Sequence, residues 1–424
     1  MKHTIIAALD IGSTMIRVLI ASFAADQRFE IKGIGETASK GIDNGIVKDI
    51  QALSSSIKIA FEEAENMASC SAGKIYVNIT GKSIITHYGD GRISIPKTEQ
   101  NKPGEILDEH ITQVIGDAKN KSISILKGFD NLQILHGIPQ NFSIDGQDEI
   151  INPVNMNGFQ LVANVYNIFV EQNPLRNLSK AIELAGYHVE PENFVLNQIA
   201  IGKAVLSEDE KKLGCFTLDI GGGTCDIAIY NRDVLQQVYV VPMAGNDITK
   251  DLAIGLRTTI TNAEYVKTMH GYADSEFINN DTNIEVDGIS GRTNQPKSLK
   301  VISKVIRSRL DEILSACYQT TLPGYKPELI TAGIVLTGGS ANLKGIDDVV
   351  SEAFNMGVKV ASPDLSEITG MISRLEDPSF ATAIGLLYYA KDIEPEGRSS
   401  QFSMPRLSGS KILDKIKNFI KETV

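Results

Sequence analysis

The chain has 424 residues, 42% of them hydrophobic, and a formal net charge of −11. That length holds two domains with sizeable cores, and the ordinary apolar fraction excludes an intrinsically disordered chain. The acidic balance argues against general nucleic-acid binding, and no charge-free apolar run approaches the roughly 18 residues of a membrane-spanning helix.

Four cysteines stand at 70, 215, 225 and 317 without a C-x-x-C, which suits buried thiols in a reducing cytosol. The six histidines form no ligand-spaced cluster. Met-Lys-His opens the chain, and Asp10 interrupts the apolar run after it before a signal-peptide core can form.

The first motif is Ala8-Leu9-Asp10-Ile11-Gly12-Ser13-Thr14-Met15-Ile16-Arg17-Val18-Leu19-Ile20. Apolar strands around an Asp and a small-residue turn read as a hairpin over 4–9 and 14–22. Arg17 lies on the second strand, either as a cation for a phosphate or as an edge charge facing water. A further strand is expected at 31–35. After Asp49, a candidate N-cap, Leu53, Ile57, Phe61, Ala64 and Met67 recur at helical spacing. Ile75 to Thr80 reads as a strand. Gly81-Lys82-Ser83 has the look of a P-loop end, but Tyr76 stands where that loop needs its first glycine.

Residues 84–165 have their own pattern. Strand-like pieces fall at 84–87, 92–95, 132–138 and 159–170, and a helix at 105–118, which together read as a small α+β insertion. Asn173-Pro174 then starts a helix, with Asn as the cap and Gly186 just past the end. Residues 195–206 read as a helix of small and apolar residues.

The rest of the chain is organised around Phe216-Thr217-Leu218-Asp219-Ile220-Gly221-Gly222-Gly223-Thr224-Cys225-Asp226-Ile227-Ala228-Ile229-Tyr230. This is again strand, Asp, turn, strand, and a turn bare of side chains lets backbone N–H groups close on an anion. Asp219 would repel phosphates unless a cation such as Mg²⁺ sat between, held through water. The bland alternative is a tight hairpin with an exposed Asp. Two Asp-Ile-Gly turns argue for two similar halves, with a polyphosphate between them.

Beyond it, Thr261-x-x-Glu264 has the form of a capping box, and the helix it starts carries Lys267 and stops near Gly271. Residues 272–296 read as loops and short strands, and 298–318 as a helix. Ile334-Val335-Leu336-Thr337-Gly338-Gly339-Ser340-Ala341-Asn342-Leu343 is a strand, a glycine pair and a helix start, which lets a flat ring approach the backbone. Helices are expected at 345–356 and 380–390.

Residues 393–410 are Glu, Gly, Ser, Pro and Arg with few apolar groups, a flexible linker. Beyond them Ile412, Leu413, Ile416, Phe419 and Ile420 fall on one helical face, with Lys411 and Lys415 among the lysines at its flanks and back. A tethered, basic, amphipathic helix over 411–424 reads as an in-plane membrane anchor; a helix docked on the body or on a partner is the alternative. Each buried large side chain is worth about 1.5–3 kcal/mol at most, so one copy binds weakly and an assembly binds well.

Strand-Asp-Gly hairpin, strand-Asp-Gly-Gly-Gly-Thr hairpin and strand-Thr-Gly-Gly, in that order, resemble the actin, heat-shock-chaperone and sugar-kinase superfamily. Within it the whole chain looks like the FtsA family of bacterial cell-division actin homologues. That likeness rests on the insertion with His136-Gly137-Ile138-Pro139-Gln140, on Ala244-Gly245-Asn246 with Leu256-Arg257-Thr258, on Gly333 to Gly339, and on the tethered terminus.

The resemblance implies an α/β actin-like fold of two lobes, each a mixed sheet flanked by helices. The first-lobe core would comprise 1–83, 166–202 and 380–392, with 84–165 inserted in it. The second-lobe core would comprise 203–243 and 319–379, with 244–318 as its smaller subdomain. ATP would lie against Gly12, Ser13, Thr14, Arg17, Gly221, Gly222, Gly223, Thr224, Glu264, Lys267, Gly338, Gly339, Ser340 and Leu343, with Mg²⁺ held through water by Asp10 and Asp219. Glu264 and Lys267 would flank the ribose and adenine; a plain capping role for Glu264 stands beside that.

The helix at 195–206 would cross between the lobes, and Lys203 appears where a Gln or Glu positions water, which leaves at most a slow ATPase. Gln198 and Glu192 are candidate stand-ins. The protein would polymerise head to tail and bind the FtsZ C-terminal tail, with Arg309 and Glu312 as contacts or else as a solvated face. It would tie the FtsZ ring to the cytoplasmic face of the inner membrane and recruit later division proteins. A small-molecule kinase and a pilus-assembly adaptor are the rival readings.

Overall fold

The computed structural model describes residues 4–23, 28–98, 101–126, 131–321 and 327–393. The linker and the amphipathic segment over 411–424 lie outside the described residues.

Two sheets share one plan. In the first, strands Thr4–Ile11, Met15–Phe23 and Phe29–Ala38 form an antiparallel meander, and Lys74–Ile79 and Phe194–Leu196 add in parallel on the other side of Thr4–Ile11. In the second, Cys215–Ile220, Cys225–Asn231 and Val234–Val241 form the meander, and Ile334–Thr337 and Val358–Val360 add in parallel beside Cys215–Ile220. The repeated Asp-Ile-Gly turns belong to this repeated topology. The third meander strand of the second sheet, Val234–Val241, is absent from the sequence reading; its buried positions do not alternate regularly.

The strands themselves are nearly continuous apolar runs because both faces of each sheet are covered. Helix Ile50–Ala68 packs on the first sheet, and its N-cap is Asp49, which accepts from the amides of Gln51 and Ala52 at 2.9 and 3.0 Å. Gly33 and Gly35 let it come close: a Cβ on Gly35 would sit 1.8 Å from the Ala60 carbonyl oxygen. Helix Gln172–Leu184 begins one residue before the expected Asn173 cap, with Glu171 preceding it, so Pro174 falls inside the first turn. The crossing helix is shorter than its apolar run, Asn197–Val205, and packs against the closing helix Ala381–Ile393.

The insertion is a four-stranded sheet with one helix, Asp108–Ile125, on it. Its strand Ile84–Ser94 runs through the stretch expected as two pieces, because Gly89 and Gly91 continue the strand while clearing the helix. A Cβ on Gly91 would meet the Val114 carbonyl oxygen at 1.8 Å. The insertion is tied to the lobes by side chains. His136 Nε2 accepts the Leu196 amide at 3.0 Å, and burial pushes this histidine down to about 3, so it stays neutral. Tyr166 accepts the Val238 amide at 3.0 Å, and Gln140 donates to the Leu235 carbonyl at 3.1 Å.

One stretch departs from the expected division. Strand Ile368–Gly370 pairs in parallel with Phe29 to Ile31 and so extends the first sheet, whereas the resemblance implies 319–379 in the second lobe. Its three residues carry no pattern that distinguishes which sheet edge they join. Among the described residues no helix is long and apolar enough to cross a membrane.

Candidate functional site

Each hairpin closes its turn with the same bond: the Gly12 amide donates to the Met15 carbonyl at 3.0 Å, and the Gly221 amide to the Thr224 carbonyl at 3.0 Å. The two turns face each other. A Cβ on Gly222 would stand 2.0 Å from Thr14 Oγ1, and one on Gly223 would stand 2.5 Å from Ser13 Oγ. Thr14 Oγ1 also donates to Asn246 Oδ1 at 2.9 Å, from the first hairpin to the second lobe. Side chains on the glycines would therefore hold the turns apart.

The third glycine motif closes on the second hairpin. Gly338 has φ +89°, and a Cβ there would lie 1.9 Å from Asp219 Oδ1. Ser340 Oγ donates to the Gly221 carbonyl at 3.2 Å. A Cβ on Gly339 would meet nothing nearer than Ser379 Cβ at 3.9 Å, so its backbone is open to a flat ring. Leu343 is buried, and its amide donates to the Ser340 carbonyl at 3.0 Å.

Glu264 and Lys267 are brought together with this group but not by a capping box. The helix Ile260–His270 is capped by Thr259, which accepts the Asn262 amide at 3.1 Å. The cap falls two residues earlier than Thr261 because Thr259 takes the extended backbone a cap requires. Glu264 is then free of the helix end. It pairs with Lys267 at 2.7 Å and accepts from Thr249 Oγ1. Lys267 Nζ also donates to the Gly245 carbonyl at 3.0 Å, beside the turn.

Beneath the turns lies a buried polar layer. Asn78 donates to Asp10 at 3.0 Å, and Asn197 donates to Asp219 at 3.2 Å and to Asp226 at 2.7 Å. Thr80 and Gln198 also donate to Asp226, and Thr382 donates to Asn197 at 2.9 Å. Strands and helices from both lobes thus meet on three carboxyl groups.

Burial raises all three. Asp10 rises to about 6, held down in part by Arg17 and pushed up by Asp226. Asp226 rises to about 6 against three hydrogen bonds that lower it. Asp219 rises well above the ordinary range, through burial and then through Asp226 and Asp10. A layer of acids that resist ionisation together is chemically suited to a cation. Among the described residues no three Asp, Glu, His or Cys side chains are grouped to chelate an ion directly. Gln198 Oε1 is buried with no hydrogen-bond partner, an acceptor left for an added donor. The glycine cradle, the acids and this acceptor fit a polyphosphate with a hydrated cation.

Two expected placements change. Lys203 lies away from the turns and pairs with Asp392 of the closing helix. It stands six residues beyond Asn197, about 9 Å along the helix at 1.5 Å per residue. The residues of this helix that reach the acids are Asn197 and Gln198, at its first turn. Arg17 does not reach toward the glycine turns: Nε donates to Glu36 at 3.1 Å, Nη2 donates to Ser379 at 3.0 Å, and the guanidinium lies over the Phe380 ring. Sequence reasoning missed Asp226, Asn78, Asn197 and Thr80. Aligning the two hairpins would have found Asp226, since it occupies the place of Arg17.

On helix Leu299–Thr321 Arg309 is half-buried and Glu312 exposed, and Arg309 bridges Asp251 and Glu312, each at 2.6 Å.

Residues 216–385 match the model described as cell division protein FtsA, and 81–169 match the model of the SHS2 domain inserted in FtsA. The chain is 34% identical over 424 residues to the cell division protein FtsA of Neisseria meningitidis, covering 99% of this chain and 98% of that protein. It is 32% identical over 403 residues to that of Escherichia coli K12, covering 93% and 92%. Among solved structures, the PilM–PilN type IV pilus biogenesis complex aligns with TM-score 0.60 at 16% identity over 91% of this chain and 98% of that one. MreB 5 of Spiroplasma citri bound to AMPPNP aligns with TM-score 0.51 at 14% identity, over 99% of each chain. The fold is actin-like, α/β, with an inserted α+β unit in the first lobe.

Proposed function

The chain belongs to the FtsA family of cell-division proteins, and on that premise we propose that it binds ATP with Mg²⁺ between its lobes and assembles according to what is bound. The observation that carries this is the meeting of Ser13 and Thr14 with Gly222 and Gly223 across the lobe boundary. Any anion taken up by one turn is also at the other, so occupancy sets the spacing of the lobes. Filament contacts that favour one spacing then become sensitive to the nucleotide.

In this reading Gly12, Ser13, Thr14, Gly221, Gly222, Gly223 and Thr224 cradle the phosphates with backbone N–H groups. Asp10 and Asp219 hold the waters of the cation. Gly338, Gly339, Ser340 and Leu343 face the base, and Glu264 and Lys267 the ribose and adenine. Bound Mg²⁺ supplies positive charge between phosphates and acids. Asn197 and Gln198 orient the acids and any water beside them. Neither can carry a proton away, since both are amides, which matches a slow ATPase at most.

The same reading assigns Arg309 and Glu312 to the C-terminal tail of FtsZ, and the segment 411–424 to lipid. Ile412, Leu413, Ile416, Phe419 and Ile420 enter the interface, with Lys411 and Lys415 at anionic headgroups. The protein then ties the FtsZ ring to the cytoplasmic face of the inner membrane at the division site and recruits later division proteins. Co-sedimentation with anionic vesicles tests it. Binding is expected to need residues 411–424, to strengthen with ATP, and to bring an FtsZ tail peptide down with the protein. Vesicle binding that survives deletion of the tail and ignores ATP overturns it.

A further inference from the structure

The insertion is threaded through the first lobe but leans on the second. The chain enters it after Lys74–Ile79 and returns along Gln160–Glu171. Its flank lies against Val234–Val241, the edge strand of the second sheet. Gln140 donates to the Leu235 carbonyl at 3.1 Å, the Tyr88 hydroxyl donates to the Gln236 carbonyl, and Tyr166 accepts the Val238 amide at 3.0 Å. The rings of Tyr88 and Tyr166 meet at 4.7 Å. Tyr166, Leu235 and Val238 share one apolar core, against which Ile138 packs.

The same strand runs on into the candidate nucleotide site. The next group along it, the Tyr239 carbonyl, accepts from Gln198 at 3.1 Å, and Gln198 also donates to Asp226. Past Val241, the Pro242 carbonyl accepts from Asn44 of the first lobe at 3.2 Å. The Gly245 and Asn246 amides donate to the Gly221 and Gly222 carbonyls at 3.0 and 2.7 Å. From Gln236 to Val241 is about 17 Å of strand at roughly 3.3 Å per residue.

The root of the insertion is its pliant part. Gly81-Lys82-Ser83 turns the chain into it, with Gly81 at φ +118°, and a Cβ there would meet nothing nearer than the Asn44 carbonyl at 3.3 Å. The ladder between Leu132–Ile144 and Gln160–Glu171 slips register between Ile168 and Phe169, where a strand bends readily. Ile84, Leu135 and Val170 pack into the first-lobe core there, beside the bond from the Leu196 amide to His136.

We propose that the insertion is a lever set by the second lobe: a change in lobe spacing at the phosphate turns travels along Val234–Val241 to Tyr88, Gln140 and Tyr166 and swings the insertion about its root. This rests on the nucleotide-site reading above. When the spacing changes, the insertion cannot follow both lobes. Three bonds and a shared core hold its flank to the second, so the bend falls at the root. The end beyond Gln140 has its own core, with Phe142 and Leu161, and carries the swing outward as a unit. Contacts made there in an assembly then depend on the nucleotide.

Hydrogen exchange on the full-length protein, with and without ATP and Mg²⁺, would be read at 221–246 and at the root, 81–88 and 165–172. In the parent, ATP is expected to change exchange in both regions by about fivefold or more, the scale of a coupling between sites. Y88F/Q140A removes two of the three bonds and leaves the buried Val238 amide its partner. It should keep the response at 221–246 and cut that at the root to within about twofold. Tyr88→Phe alone, at an exposed side chain, is the milder variant and should give an intermediate root response; a thermal melt accompanies each. A root that ignores ATP in the parent while 221–246 responds, or that responds as strongly in the variants, overturns the lever and leaves the nucleotide site standing. ATP that changes exchange in neither region overturns the site reading and the lever with it.

Discussion

The two hairpins share a backbone and differ in charge. In the first, Asp10 faces Arg17 across the ladder; in the second, Asp219 faces Asp226. Both acids rise in pKa, first through burial; Arg17 opposes the rise at Asp10, whereas the Asp226 and Asp10 carboxyls add to it at Asp219. The same turn is thus built once as a compensated ion pair and once as a stored repulsion.

Substitutions separate the two halves in order of expected size. The largest effect falls at the second hairpin's support. Gly338→Ala would force a side chain onto a backbone at φ +89° and onto Asp219 Oδ1 at 1.9 Å. A loss of about 3 kcal/mol or more is expected in denaturant unfolding. Gly12→Ala should cost less, since its Cβ meets only the Met15 carbonyl of its own turn, at 2.8 Å.

The next contrast lies in the acids. Asp219→Asn removes a buried repulsion and should raise the melting temperature of the nucleotide-free protein while abolishing Mg²⁺-dependent nucleotide binding and assembly. Asp10→Asn deprives Arg17 of a counter-charge and should not raise it. Equal melting shifts for the two would show that the hairpins are not electrostatically distinct. An Asp219→Ala variant that polymerises and binds ATP like the parent would remove Asp219 from the cation site.

Acidity acts in the same direction. Asp10 and Asp226 have folded values near 6 against an ordinary 3.8, so the folded state holds their protons more tightly. That contribution is complete below 3.8 and is lost as pH rises through about 6. The nucleotide-free protein should therefore melt higher near pH 5.5 than near pH 7.5, by these groups' contribution, and Asp226→Asn should flatten the difference. The smallest effect expected is at the lobe boundary: Thr14→Val removes the bond to Asn246 and should cost about 1 kcal/mol.

The strands of the two matched hairpins, their turns, the helix at Asp49 and the inserted unit are legible in the chain, because each is set by local alternation, helical spacing or turn chemistry. Thr259 took the cap expected of Thr261 because two threonines close together offer the same chemistry and only backbone direction chooses between them. Strand Ile368–Gly370, expected with the second lobe, joins the first sheet, since three residues carry no record of which sheet they will join.

What the sequence determined by itself was the pair of Asp-Ile-Gly hairpins and the glycine motif that follows them, since a turn without side chains is a local property. Only the tertiary structure decided that Asp226, Asn78 and Asn197 share a layer with Asp10 and Asp219, that Lys203 stands apart, and that Arg17 answers to Glu36. These are contacts between segments far apart along the chain, where burial and charge act through distances that spacing in sequence does not encode.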